Sequence, residues 1–201
     1  MATMTRGRFE GLRTRLVRSA RGTVLEIGAG EGANFGSLHA GVEWIGLEPD
    51  AERRAILAEN ARRAGHDREP LAAGAERIPL DDESVDVVVG TYVLCSVHDV
   101  AAAAAEFRRV LRPGGRLLFV EHVAAPRGTW RYGLQRAVTP ISRRFDHGCR
   151  WTSDPIPALE AAGFETVKLD RHELGNGSLL PSTPVVLYEG VVTSKTGLPE
   201  T

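Results

Sequence analysis

Short apolar runs alternate with amphipathic stretches along the first part of the chain. The predicted strands cover residues 23–28, 44–47, 85–92 and 115–123, and helical patterns at residues 51–64 and around residues 101–105 lie between them. Strands that are almost continuous in Val, Ile and Leu are typical of a parallel sheet covered by helices on both faces. The pattern therefore predicts an α/β fold.

The pattern changes toward the end of the chain. Residues 158–163 predict a helix that ends at Gly163, and two extended segments follow it at residues 164–173 and 184–192. Because no helix separates these two segments, they predict an antiparallel hairpin at the end of the sheet.

Composition and charge restrict the partners of the chain. Its 201 residues are 42% hydrophobic and 25% charged, which is typical of one globular domain. The formal net charge of -1 provides no basic footprint for nucleic acid. No apolar run approaches the roughly 18 residues of a membrane span, and no signal peptide precedes the first strand, so we expect a cytoplasmic protein.

Positive charge is concentrated before the first strand. Residues 1–22 predict a basic amphipathic helix in which Glu10 is the acid beside six arginines, which are Arg6, Arg8, Arg13, Arg15, Arg18 and Arg21. Such a helix either docks on the domain, where it can act as a lid, or makes peripheral contact with an anionic membrane. The sequence predicts no oligomeric state.

The sequence LEIGAGEG at residues 25–32 predicts a ligand-binding turn after the first strand. Gly28, Gly30 and Ala33 fit the G-x-G-x-x-G/A pattern of dinucleotide-binding folds, and Glu48 follows where a ribose would bind. Glu26 disfavours a pyrophosphate and favours a cationic ligand such as S-adenosylmethionine, which carries a sulfonium and an ammonium group. A nicotinamide-dependent reductase stays open at this point, although the chain lacks a Tyr-x-x-x-Lys pair.

Four motifs extend this pattern. VLEIGAGEGANF, GLEPD, GAERIPLDDESVDVVVGTYVLCSV and LRPGGRLLFVEHV, over residues 23–123, resemble the class I S-adenosylmethionine-dependent methyltransferases in order and spacing. The resemblance implies a Rossmann-like fold, with a seven-stranded, mostly parallel sheet, an antiparallel C-terminal hairpin and helices on both faces. The cofactor-binding residues that it implies are Glu26, Gly28, Gly30 and Asn34 at the methionine end, Glu48 and Pro49 at the ribose, Gly74, Ala75 and Glu76 at the adenine, and Gly90 and Thr91 beside the methyl group.

A narrower resemblance continues to about residue 190. TYVLCSV, VEHVAAPRGTWRYGLQ, DHGCRWT and ALEAAGF are similar to the methyltransferase-like proteins that methylate small alkyl thiols at sulfur. Those relatives generally carry an apolar N-terminal anchor, where this chain has the basic helix. The resemblance implies methyl transfer from S-adenosylmethionine to a small molecule, with a thiol sulfur as the preferred acceptor and S-adenosylhomocysteine as the product.

Two other functions stay open. The narrower group also resembles sequences described as phosphatidylethanolamine methyltransferases, so the acceptor can be a nitrogen or oxygen atom of a lipid headgroup or secondary metabolite. A non-catalytic module that binds S-adenosylmethionine is an alternative of another class. The domain organisation that we predict is a basic helix (1–22), a methyltransferase domain (23–192) with an acceptor-side insertion (124–163), and a flexible tail (193–201).

Several residues are candidates for the chemistry. His122 ends a predicted strand, where it can act as a general base or orient the acceptor, or simply pack beside Glu121. His147 is a second catalytic candidate in the insertion. Trp130 and Trp151 are expected to line an apolar acceptor pocket or, alternatively, to form a satellite core.

The two cysteines, Cys95 and Cys149, are expected to be small packing residues. Adjacent Asp146, His147 and Cys149 cannot converge like spaced zinc ligands, so the sequence predicts no metal site.

Overall fold

One mixed β-sheet organises the fold, which the computed structural model describes over residues 3–145, 149–175 and 182–192. The strands are β1 (Thr3–Met4), β2 (Thr23–Ile27), β3 (Glu43–Leu47), β4 (Val85–Thr91), β5 (Leu111–His122), β6 (Phe164–Leu174) and β7 (Thr183–Val192). Their order across the sheet is β1-β6-β7-β5-β4-β2-β3. Strand β7 runs antiparallel to β5 and β6, and the other neighbours are parallel, which confirms the predicted α/β fold and C-terminal hairpin.

The predicted count of seven strands needs a correction. In the described part of the chain, six strands have five or more residues, and β1 adds only a two-residue pairing at one edge. Beyond β3, at the other edge, Leu71 forms a single parallel bridge with Leu47. Pro70 precedes Leu71 and Gly74 follows it. These residues leave too short a run for a further strand, because proline lacks the ladder donor and glycine weakens a strand.

Helices cover both faces of the sheet. They are α1 (Arg6–Arg18), α2 (Ala51–Arg63), α3 (Val100–Val110), α4 (Trp130–Phe145) and α5 (Ile156–Ala161), with a 3-10 turn at Phe35–Ser37. Phe107 of α3 and Leu159 of α5 are fully buried in the core on one face. Val17 of α1 and Leu57 of α2 are buried on the other. None of the helices in the described ranges combines the length and the apolar character that crossing a membrane requires.

The basic helix α1 docks on the sheet. Phe9 is fully buried against Val120 and Leu187, and Val17 is buried farther along the helix. Five of the six arginines predicted to form a basic surface are exposed, whereas Arg13 turns inward. This packing supports the interpretation of α1 as a cover over the domain.

The order of the strands places the site. Strand β2 lies between β3 and β4, so the chain leaves β2 toward one edge and later returns on its other side. In α/β sheets, ligands bind at the carboxyl ends of the strands at such a switch point. The glycine-rich turn follows β2 here, and residues 90–95 follow or end β4.

Candidate active site

The glycine-rich turn exposes its backbone at the switch point. Gly28 and Gly30 have φ angles of +56° and +59°, a region that side chains rarely adopt. A Cβ at Gly28 would lie 2.4 Å from Val93 Cγ2. The absence of side chains therefore lets the turn approach the end of β4, with room for a ligand against its backbone.

Glu48, which follows β3, joins the turn to helix α2. Its Oε2 accepts a hydrogen bond from the Gly30 N–H (2.9 Å), and its Oε1 accepts one from the Asp50 N–H (3.0 Å). The side chain is buried, with 4% of the residue exposed. An ionised carboxylate has about four lone-pair directions, so each oxygen can also accept a ribose hydroxyl. Pro49 follows directly, and its carbonyl accepts a bond from Arg54.

A buried polar cluster surrounds Glu26. Its oxygens accept hydrogen bonds from Asn34 Nδ2 and Trp44 Nε1, each at 2.8 Å. Asn34 Nδ2 also lies 3.0 Å from Thr91 Oγ1, and Arg13 donates to Asn34 Oδ1. Burial raises the pKa of the Glu26 carboxyl, although the hydrogen bonds from Trp44 and Asn34 oppose that shift. The structure thus brings Glu26, Asn34 and Thr91 together beneath helix α1.

The segment predicted to contact adenine lies between β3 and β4. Ala75 is buried in the core, and Gly74 and Glu76 are partly exposed. Glu76 Oε1 accepts the N–H groups of His98 (2.9 Å) and Asp99 (3.3 Å), so this side chain holds the start of α3. Contact with an adenine amine would therefore involve its second oxygen or the backbone.

An ion pair fixes the chain that follows this segment. Glu106 Oε2 accepts the Ile78 N–H at 2.7 Å, and Arg109 donates to the carbonyls of Ile78 and Leu80 at 2.8 Å each. Arg109 also binds both oxygens of Glu106 at 2.8 Å. This arrangement attaches residues 78–80 to helix α3 and so supports the neighbouring candidate adenine segment.

An aromatic cavity opens beside the ends of β4 and β5. The rings of Tyr92 and His122 stack with centroids 4.4 Å apart, and Trp151 lies 6.5 Å from His122 on a nearly parallel plane. Burial raises the pKa of Tyr92 to about 12, so its phenol is neutral at pH 7. The cavity has a volume of about 660 Å³ and is lined by Arg6, Glu10, Tyr92, His122, Trp151, Leu174, Gly175 and Thr183.

Known proteins are similar to this chain in sequence. A family model described as a methyltransferase domain matches residues 25–119. Human thiol S-methyltransferase TMT1A is 40% identical over 173 residues, which are 84% of this chain and 70% of that protein. The phosphatidylethanolamine N-methyltransferase of Cereibacter sphaeroides is 28% identical over 140 residues, which are 69% of this chain and 66% of that protein.

A solved methyltransferase structure has a similar fold. Geranyl diphosphate C-methyltransferase from Streptomyces coelicolor A3(2), in complex with Mg²⁺, geranyl diphosphate and S-adenosyl-L-homocysteine, has a TM-score of 0.73 at 18% identity. The match covers 93% of this chain and 82% of that chain. The 40% identity to TMT1A decides the family. The chain belongs to the S-adenosylmethionine-dependent methyltransferases.

The residues of this methyltransferase fit its cofactor. The turn at Gly28 and Gly30 admits a ligand against its backbone, and buried Glu48 offers two oxygens for an adenosine ribose. A carboxylate at Glu26 suits a ligand with two positive groups and no phosphate. S-adenosylmethionine supplies an electrophilic methyl group when it is bound. Family membership also removes the alternatives of a nicotinamide-dependent reductase and a non-catalytic module.

One predicted residue of this methyltransferase, Trp130, does not line the cavity. Trp130 begins helix α4 and is 69% exposed, because its side chain points to solvent rather than inward, whereas Trp151 lines the cavity as expected. His147 and Asp146 lie outside the described residues. His122 is therefore the described histidine candidate that reaches the cavity wall.

Sequence reasoning overlooked the role of Glu121. This carboxyl is fully buried, and its Oε1 accepts the N–H groups of Val93 (3.0 Å) and Leu94 (2.9 Å). Burial, and to a smaller extent the nearby Cys95, raises the pKa of Glu121 to about 8. The sequence did contain a signal for this role. An acidic residue at the end of a buried strand predicts hydrogen-bond partners, because a buried carboxyl without partners is costly.

The two cysteines also meet at this end of the sheet. Cys95 Sγ and Cys149 Sγ are 3.2 Å apart, and both residues are buried. The prediction of small packing residues describes their burial but not their proximity to each other and to His122. The 54-residue separation of the cysteines hid this contact, although Cys95 and His122 follow or end neighbouring parallel strands.

Proposed function

We propose that this methyltransferase transfers a methyl group to the sulfur of a small thiol. The observation that carries the proposal is the aromatic cavity beside the end of β4, where Tyr92, His122 and Trp151 form one wall. A wall built of three aromatic rings suits a small, weakly polar acceptor. The name of TMT1A, a thiol S-methyltransferase, supports sulfur as the acceptor atom.

We assign the cofactor to the side of β4 that faces β2, whereas the acceptor cavity lies on the side that faces β5. In this proposal Glu48 holds the ribose beside Pro49, and Glu26, Gly28, Gly30 and Asn34 surround the methionine end. Gly74, Ala75 and Glu76 flank the adenine. Gly90 and Thr91 separate the two ligands at the end of β4, a position supported by the contact between Thr91 and Asn34.

The protein's contribution to the chemistry is mainly positioning. A thiol with a pKa near about 8.5 is already a few per cent thiolate at pH 7, so it needs little base catalysis. The cavity wall aligns the sulfur with the methyl group, which converts an encounter in solution into a short, oriented approach. His122 is placed to orient the acceptor or accept its proton.

A lipid amine is the second candidate acceptor. The similarity to a phosphatidylethanolamine N-methyltransferase supports it, as do the exposed arginines of helix α1, which suit anionic headgroups. In that case α1 would contact the surface of a membrane from the cytoplasm and present the cavity, which Arg6 and Glu10 help to line, to a headgroup. An amine acceptor would have to be deprotonated before transfer, which makes it more demanding than a thiol.

The experiment measures S-adenosylhomocysteine formation by mass spectrometry. Purified protein and S-adenosylmethionine are offered a small alkyl thiol, a phenol, an amine, or vesicles containing phosphatidylethanolamine, each separately. We expect turnover with the thiol, and its loss in a Glu48→Ala control at the same cofactor concentration. Turnover only with the vesicles would reject the thiol and establish the lipid alternative.

A further inference from the structure

Three metal-binding side chains meet behind the cavity wall. Cys95 follows β4, His122 ends β5, and Cys149 follows helix α4, so three separate segments of the chain supply them. One ligand atom from each residue lies within 4.8 Å of the others. Two thiols and an imidazole that converge in this way form a ligand set that binds a borderline divalent ion.

We propose that Cys95, His122 and Cys149 bind one zinc ion, whose fourth coordination position receives the acceptor thiol. The role of the fourth position rests on the proposed function, whereas binding of the ion does not. Catalytic zinc sites keep three protein ligands and one open position, and Cys2His is one of the ligand sets that they use. Sulfur ligands favour zinc over Mg²⁺ or Ca²⁺, which prefer oxygen.

The sulfur pair requires only a small adjustment. Two sulfurs at about 2.3 Å from one tetrahedral ion are separated by about 3.8 Å. Since the two Sγ atoms are 3.2 Å apart, the pair has to open by about 0.6 Å to admit the ion. A disulfide would instead require the sulfurs to close to about 2.05 Å, a movement of more than about 1 Å.

Hydrogen bonds outside the cluster hold its members in place. The Arg150 N–H donates to the Cys95 carbonyl at 2.8 Å, and the Arg150 guanidinium donates to the Val97 carbonyl. Ser142 Oγ donates to the Cys149 carbonyl at 2.9 Å. These contacts attach the segment after α4 to the loop after β4. They fix the backbone positions from which the Cys95 and Cys149 side chains extend.

Glu121 provides a second, independent observation. Its Oε2 is buried and has no hydrogen-bond partner in the described part of the chain, although Oε1 accepts the Val93 and Leu94 N–H groups. Leu94, which donates one of these bonds, directly precedes Cys95. A buried polar atom without a partner costs free energy, and a cation held by the neighbouring Cys95 would reduce that cost.

The ion would explain how the acceptor sulfur is activated. A divalent ion deprotonates coordinating thiols outright, and metal binding releases those protons to solvent. The same applies to an acceptor thiol that enters the fourth position.

The methyl transfer accounts for every proton, bond and electron pair. The acceptor loses its S–H proton to solvent on coordination, and its sulfur forms the new bond to the methyl carbon. The sulfonium sulfur of the cofactor keeps the electron pair of the bond that breaks. The neutral thioether product is a weaker ligand than a thiolate and leaves. Because His122 belongs both to the cluster and to the cavity wall, the open position is assigned to the side that faces the cavity.

The first test is metal content. Full-length protein is purified on a tag that binds no metal, without chelator, and analysed by plasma mass spectrometry. We expect about one zinc per chain in the wild type, and at least a roughly tenfold loss of zinc affinity in Cys95→Ser, Cys149→Ser and His122→Ala. The control His39→Ala removes an exposed histidine outside the cluster and should keep its zinc.

Cobalt provides a measurement that does not depend on ligand variants folding. Co²⁺ added to metal-free wild-type protein should give the visible bands of a tetrahedral ion and a sulfur-to-metal charge-transfer band. A small alkyl thiol should shift these bands, and a phenol of similar size should not. A folded, cofactor-binding protein that takes up neither ion would overturn the site even if it methylates thiols, as would loss of both cysteine thiols to a disulfide. A stoichiometric cobalt spectrum without thiol methylation would retain the ion and reject the proposed function.

Discussion

The rings of Tyr92 and His122 stack face to face, with centroids 4.4 Å apart and planes inclined by 30°. Tyr92 follows β4 with a φ of +57°, an uncommon conformation for a residue that carries a side chain. The backbone there accordingly turns the tyrosine ring toward the end of β5. The stack holds the imidazole against Tyr92, so the ends of β4 and β5 form one surface.

This relationship predicts a specific effect of His122→Ala. The imidazole faces the acceptor cavity, whereas the candidate cofactor residues lie around β2 and β3. We expect turnover at saturating substrates to fall at least about a hundredfold, the scale of general acid–base or positioning groups, with little change in cofactor affinity. Steady-state kinetics and calorimetry measure the two effects. The control His39→Ala should match the wild type, and an unchanged rate in His122→Ala would remove this residue from the mechanism.

Much of the fold follows from short-range patterns in the sequence. The apolar runs predicted strands at residues 23–28 and 85–92, and the structure has them at Thr23–Ile27 and Val85–Thr91. Helix α4 was not predicted. Pro140 lies inside it, and proline normally indicates a break because it lacks a donor and collides with the preceding turn. In the structure helix α4 nevertheless continues through Pro140.

Some features of the site could also be predicted from the sequence, and others could not. Residues of the glycine-rich turn and Glu48 were predictable, because one motif fixes their spacing and the ends of parallel strands bring them together. The contact between Cys95 and Cys149 was not, since it depends on how the segment after α4 folds back. Trp130 is the opposite case. The sequence predicted it at the cavity, but in the structure it begins helix α4 and its side chain points to solvent.

Glu48→Ala should weaken cofactor binding. Each oxygen of Glu48 accepts one backbone N–H and can accept one ribose hydroxyl, so its removal costs charge-assisted hydrogen bonds and loosens the turn at Gly30. We expect a loss of about 1.5 to 3 kcal/mol in the binding free energy of S-adenosylhomocysteine, measured by calorimetry. Glu52→Ala, an exposed acid in the first turn of α2, is the matched control. Equal affinities in the two variants would place the ribose elsewhere.

Gly28→Ala tests the close approach of the turn to β4. Alanine at a φ of +56° is strained by about 1 to 2 kcal/mol, and its Cβ would also lie 2.4 Å from Val93 Cγ2. Gly41→Ala is strained in the same way, at a φ of +87°, but meets nothing within 4 Å. We expect Gly28→Ala to lower the free energy of unfolding by at least about 1 kcal/mol more than the control, and to bind the cofactor more weakly. Denaturant titration checks the first effect, and equal losses in the two variants would contradict the collision.

Glu106 should make stability depend on acid pH. The hydrogen bond from Arg109, which outweighs partial burial, and the Ile78 N–H hold the pKa of Glu106 below its ordinary value of 4.5. A lowered pKa in the folded state stabilises the fold above pH 4.5, and this contribution is lost as pH falls through the folded-state pKa. Glu106→Gln should therefore be about 1 to 2 kcal/mol less stable at pH 7, with the deficit shrinking below pH 4.5. Asp82→Asn removes the exposed partner of Arg109 and should change little. Urea denaturation of the three proteins at pH 7 and pH 4 measures this, and a deficit that is the same at both pH values would show that the Glu106 charge contributes nothing.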